Sequence, residues 1–64
     1  MNKYAWLTGF VYAWFNGKDK CKVDDEEAYN QGIKDGNEAK AAGYENFFTA
    51  YEIYETKHLM DLLL

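Results

Sequence analysis

The dipeptide Asn16-Gly17 separates an aromatic run, Phe10-Val11-Tyr12-Ala13-Trp14-Phe15, from a run in which every second residue is a lysine, Lys18-Asp19-Lys20-Cys21-Lys22-Val23. Asn-Gly readily supplies the two positive φ angles of a type I′ turn, so two residues suffice to reverse the chain between paired strands. A hairpin closed there pairs Phe15 with Lys18, which sets Trp14 opposite Asp19, Tyr12 opposite Cys21 and Phe10 opposite Val23. The other face then joins Phe15, Ala13 and Val11 to Lys18, Lys20 and Lys22. Tyr4, Trp6 and Thr8 keep the same period of two and extend the first strand back to Tyr4, with Gly9 as a bulge. A helix over 4 to 15 competes with this reading, because Trp6, Gly9, Phe10 and Ala13 also fall at helical spacing and Gly9-x-x-x-Ala13 echoes Gly32-x-x-x-Gly36. Tyr, Trp, Thr, Phe and Val are strand formers, and this composition favours the hairpin.

The clearest helix begins at Asp24 or Asp25, where an acidic first turn suits the positive end of the helix dipole, and stops at Gly43. Its apolar side is a stripe of small residues, Ala28, Gly32, Gly36, Ala39 and Ala42, joined by Tyr29 and Ile33. Each glycine inside a helix costs about 1 kcal/mol against alanine, so two of them signal that something approaches this helix closely. After Gly43 and Tyr44, the run Phe47 to Thr56 reads as a third strand with Phe47, Thr49, Tyr51 and Ile53 on one side. Phe47, Tyr51, Tyr54 and His58 also make a helical stripe. The apolar tail His58 to Leu64 must pack on something. The expected fold is α+β: a ββαβ domain with a three-stranded antiparallel sheet of order 2-1-3, one helix on one face and a short helical or extended tail. The alternative is an all-α three-helix domain.

Sixty-four residues is a single domain near the lower limit for a self-supporting core. Cys21 is the only cysteine, which excludes an internal disulfide, and Cys21 with His58 falls short of a structural zinc site. Six Tyr, four Phe and two Trp must therefore supply the core. The apolar stretch from Tyr4 to Phe15 is too short to span a bilayer and too aromatic and interrupted for a secretory leader, and a lone thiol suits a reducing compartment, so a cytoplasmic location is expected.

No constellation carries chemistry. Glu55-x-x-His58 has a spacing found in di-iron bundles, but those sites need two copies and further glutamates. Cys21, aimed inward by strand alternation, reads as a buried small residue. Neither a catalytic, a cofactor nor a metal role is expected. The uncovered sheet face would instead carry Val11, Phe15, Phe48 and Tyr54 beside Lys18, Lys20 and Lys22, a patch that monomers rarely leave bare. Covering by the tail, a homodimer and a foreign protein partner are its three expected fates. The favoured function is a small protein-binding module, of the inhibitory kind that phages and mobile elements encode to occupy a host protein. The ββαβ layout is similar to that of some phage inhibitors of host RNA polymerase, a likeness that no motif carries. The alternative is a single-stranded nucleic-acid binder whose exposed rings stack on bases while the lysines follow the backbone, against which the net charge of −4 and the absence of Arg weigh.

Overall fold

The computed structural model describes residues 1–58, and three helices account for most of them: α1 (Lys3–Trp14), α2 (Glu26–Ala42) and α3 (Phe47–Lys57). Among the described residues there is no strand, which overturns the α+β expectation. The Asn16-Gly17 hairpin, the third strand over Phe47 to Thr56 and the 2-1-3 sheet are all absent, and the layout likeness to ββαβ inhibitors goes with them. The three-helix alternative is the observed class. The tail from Leu59 to Leu64 lies outside the described residues.

Asn16 explains the first correction. It does take a positive φ, 55°, but Gly17 does not, so the type I′ turn is not formed. Asn16 instead ends α1: its own N–H bonds Ala13 O at 3.3 Å and the Gly17 N–H bonds Tyr12 O at 2.8 Å. This is the paired closure of a Schellman stop with Asn in the left-handed position that glycine more often fills. At the other end, the Asn2 side chain caps α1 by accepting from the Ala5 N–H at 3.0 Å. The third segment is helical for a similar reason. Asn46 accepts from the backbone N–H groups of Phe48 and Thr49, and so starts a helix where alternation had suggested a strand.

α2 keeps the bounds read from the sequence. Asp25 caps it through the Ala28 N–H, and Gly43, at φ 88°, ends it with N–H bonds to Ala39 and Lys40 carbonyls. Its glycines meet not a sheet but α1. A Cβ placed on Gly32 would lie 1.9 Å from Trp6 O, and one on Gly9 would lie 2.0 Å from Tyr29 O. The two backbones are therefore in direct contact through Gly9 and Gly32, with Gly36 against Phe10 O and Ala13 Cβ. Gly9 is a helix-contact residue and not a bulge. Contacts rise together along both segments, from Asn2 with Asp25, through Trp6 with Gly32 and Ala13 with Gly36, to Asn16 with Lys40. The helices thus run parallel, and residues 15–25 carry the chain back along the pair.

α3 runs antiparallel to both, seating its rings in the groove between them. Phe47 meets Trp14 and Phe10, Tyr51 meets Trp6, and Tyr54 meets Phe10 at centroid distances of 5.8–6.0 Å. Trp6 and Phe10 are completely buried at the junction, and small residues from each helix, Ala5, Ala28, Ala39 and Ala50, close around them. Large rings set against small residues let layers interlock at native density, which is how a core this small forms.

Candidate functional site

The three helices position two features that stand apart from ordinary packing: a buried carboxylate at one end of the core, and an apolar face on α1 that carries exposed side chains.

The carboxylate is Asp35, 4% exposed on α2. Its Oδ2 accepts from the Trp6 indole N–H at 2.8 Å, and its Oδ1 from the Gln31 amide at 3.0 Å. His58, at the end of α3, brings Nε2 to 2.7 Å from Oδ2, but out of line for a hydrogen bond. One residue from each helix thus converges on one carboxylate. Only the Trp6 bond among these crosses between helices, and a hydrogen bond to a charged group contributes roughly 1.5–3 kcal/mol, enough to help set how α1 sits on α2. Two further polar ties bind α3. Glu55 Oε2 receives both the Lys3 ammonium and the Tyr51 hydroxyl, each at 2.6 Å. The bond from Lys3, then that from Tyr51, holds the Glu55 carboxyl below the usual range, and the same bond raises the Lys3 ammonium. Tyr54 donates to Glu38 at 3.1 Å; burial first and this carboxylate second push its phenol up to about 12. Glu55 and His58, spaced as in a di-iron motif, are committed to different partners. Among the described residues no three His, Cys, Asp or Glu side chains gather as metal ligands would.

The apolar face is a consequence of helix geometry. On α1, Gly9 and Ala13 point at α2, while Trp6, Phe10 and Trp14 lean toward α3. That leaves Tyr4, Leu7, Val11 and Phe15 along the remaining side. Tyr4 is 68% and Phe15 63% exposed, and Val11 is also exposed. Across the α1–α3 seam, Phe48 is 70% exposed. Phe47 joins the two helices here, its ring 5.5 Å from Phe15 and 5.6 Å from Phe48.

The residues expected on a sheet face divide accordingly. Val11, Phe15 and Phe48 lie on this surface. Tyr54 does not: it is 5% exposed and packs on Phe10 beneath it. Lys18, Lys20 and Lys22 are exposed, yet on the returning connection and not on a strand edge. Lys22, with Asp24, lines a groove beside Tyr4 and Thr8, whereas Lys20 lines another with Glu26, Tyr29 and Asn30. Cys21 is exposed and not buried, because no strand alternation turns it inward; its N–H bonds the Tyr29 hydroxyl at 3.2 Å. The sequence reading missed Tyr4 as a surface residue, although Tyr4, Leu7, Val11 and Phe15 repeat at steps of three and four; Leu7 on this stripe is half-buried against the core. It also missed Asp35, which falls on the inward stripe at seven residues from Ala28 and four from Ala39. No helix among the described residues is long and apolar enough to cross a membrane. Comparison with protein-family models, curated proteins and solved structures finds no match to this chain.

Proposed function

We propose that this chain is a small, non-enzymatic protein-binding module that engages its partner through the outer face of α1, with Val11, Phe15 and Phe48 as anchors. One observation carries the reading. α1 has a single charged residue, Lys3, in its twelve positions, yet α2 and α3 cover only part of its circumference. A helix that is apolar all round belongs in an interior, and a contiguous apolar patch on a small protein marks an interaction site. Aromatic side chains already held in place by Phe47 lose little freedom on binding, which suits them to anchor an interface. Action by occupying the partner's surface fits a chain in which no catalytic group is assembled among the described residues, and an exposed lone thiol fits a reducing cytoplasm.

A second reading is favoured by one feature. Lys18, Lys20 and Lys22 are all exposed on the connection that leaves Phe15, and Lys22 shares a groove with Tyr4, a pairing of cation and ring that a single-stranded nucleic-acid binder uses. The test uses the full chain immobilised as wild type and as the Phe15→Ala, Phe48→Ala double variant. Both residues are exposed, so the variant keeps its helical circular dichroism. Loss of the captured protein with the variant supports the first reading, and equal capture rejects it. Titration with single-stranded oligonucleotides at low salt decides the second: an affinity that falls steeply with added salt supports it, and absence of binding dismisses it.

A further inference from the structure

We infer that Asn16-Gly17 is a site of spontaneous main-chain modification, conversion to aspartate and isoaspartate with loss of ammonia, which the closed end of α1 restrains and Lys40 latches. The inference goes beyond the protein-binding reading and does not depend on it.

The chemistry belongs to the pair itself, asparagine being a thermally labile residue. Attack of the Gly17 backbone nitrogen on the Asn16 side-chain carbonyl carbon closes a cyclic imide. The N–Cγ bond forms, the Cγ–Nδ2 bond breaks, and the proton of the attacking nitrogen leaves with the amide as ammonia. Water then opens the ring at either carbonyl. One opening gives aspartate, and the other gives isoaspartate, in which the main chain runs through Cγ. The sum is a water taken up and an ammonia released, with no change of oxidation state. Glycine in the second position has no Cβ to shield the attacking nitrogen, and it adopts the backbone angles that ring closure needs.

The structure holds both reacting groups away from this path. The Gly17 N–H donates to Tyr12 O at 2.8 Å, so the nucleophile is committed to the closure of α1. Lys40 Nζ donates to Asn16 Oδ1, which ties the electrophile to the last turn of α2. The Tyr12 ring lies over Gly17, where an added Cβ would come within 2.5 Å of Tyr12 Cδ2. Yet Asn16, Gly17 and Lys40 are all exposed. An exposed helix end opens far more often than a packed core, so the pair reacts in the fraction of molecules whose α1 stop is open. The product does not fit the closed form. Isoaspartate lengthens the main chain between the Asn16 N–H, bonded to Ala13 O, and the Gly17 N–H, bonded to Tyr12 O, so the paired closure next to Phe15 is lost.

The test incubates the full chain near neutral pH, folded and in guanidinium chloride. Peptide mass spectrometry follows conversion at Asn16, and hydrogen exchange follows the Gly17 N–H. The folded chain should convert more slowly than the denatured one by about tenfold or more, the combined effect of the backbone hydrogen bonds that must break. Lys40→Met, with its folding checked by circular dichroism, should speed conversion by roughly two- to fivefold, the share of one exposed hydrogen bond, and speed Gly17 exchange by the same factor. Equal rates in the folded and denatured chains overturn the restraint, and a denatured chain that does not convert at Asn16 overturns the site. A Lys40→Met variant no faster than wild type overturns the latch. So does faster conversion without faster Gly17 exchange, because the lysine would then act through its charge and not by holding the stop closed.

Discussion

Replacing Gly32 by alanine tests the central contact of the fold, because two physical effects oppose each other there. In an isolated or solvent-facing helix, the change stabilises by about 1 kcal/mol, since alanine loses less backbone freedom than glycine. In this protein the new Cβ would lie 1.9 Å from Trp6 O, 2.8 Å from Phe10 N and 2.9 Å from Trp6 C. An ordinary contact begins near 3.4 Å, so the backbones must part by about 1.5 Å, and none of the three obstructing atoms belongs to a side chain that can rotate away. A gap of 0.5–1 Å already forfeits a quarter to a half of the dispersion between facing atoms, and overpacking typically costs about 1–3 kcal/mol or more. Here the upper end of that range applies, because Trp6 and Phe10 sit beside the contact and lose their close packing as the helices separate. The net effect is a loss of about 2 kcal/mol or more, out of the roughly 3–10 kcal/mol expected of 64 residues. Urea denaturation followed by circular dichroism measures it, and the melting temperature should fall by about 10 °C or more. Gly9→Ala should behave alike, with Tyr29 O only 2.0 Å away, whereas Gly36→Ala should cost less, since its nearest contacts are 2.8 Å off and one is the Ala13 methyl. A Gly32→Ala variant more stable than wild type would refute the backbone contact between α1 and α2.

Trp6→Phe keeps most of the buried ring but removes the donor to Asp35; a buried carboxylate short of one partner costs about 1–3 kcal/mol, measurable by the same denaturation. Asn46→Ala removes the cap of α3 and should cost about 1 kcal/mol, whereas an effect near zero would mean that α3 does not begin there. At high pH, the phenol of Tyr54 is raised from 10 to about 12, and Tyr51 is raised by burial first and its bond to Glu55 second. A raised folded-state value means stability that is complete below pH 10 and is lost as pH climbs toward 12; tyrosinate absorbance and helicity should change together in that window, and Tyr54→Phe should soften the loss. At low pH the sign reverses, because Asp25 is held down by the Asn2 and Ala28 N–H groups and Glu55 by Lys3. Their contribution is complete above the ordinary carboxylate range and drains away as pH falls below it, so acid titration of helicity should show Glu55→Gln to be less sensitive than wild type.

Much of the architecture was written locally. Asp25 and Gly43 delimit α2 through hydrogen bonds made within a few residues, and the glycines at 32 and 36 announced a close neighbour without saying which. Asn2 and Asn46 carry the same kind of signal for α1 and α3, and Asn16 ends α1 through bonds to its own last turn. The strand propensity of Tyr, Trp, Val and Phe outweighed these short polar marks in the sequence reading, because alternation and helical spacing overlap in an apolar run. The candidate surface was legible only as a set of large rings. Phe15 and Phe48 were placed outward by a strand alternation that does not exist, but Tyr54 went inward because α3 turns every third or fourth residue to the core, where Tyr54 meets Phe10.

What the amino-acid sequence determined by itself was therefore the punctuation: where α2 begins and ends, and that small residues on it await a partner. What only the tertiary structure decided was that the partner is a parallel helix and not a sheet. The reason is energetic. An apolar segment can satisfy its backbone as strand or as helix, and the balance is tipped by a distant event, the seating of Gly9 on Tyr29 and of Gly32 on Trp6. With that contact made, one side of α1 is buried and another, from Tyr4 to Phe15, is left facing outward.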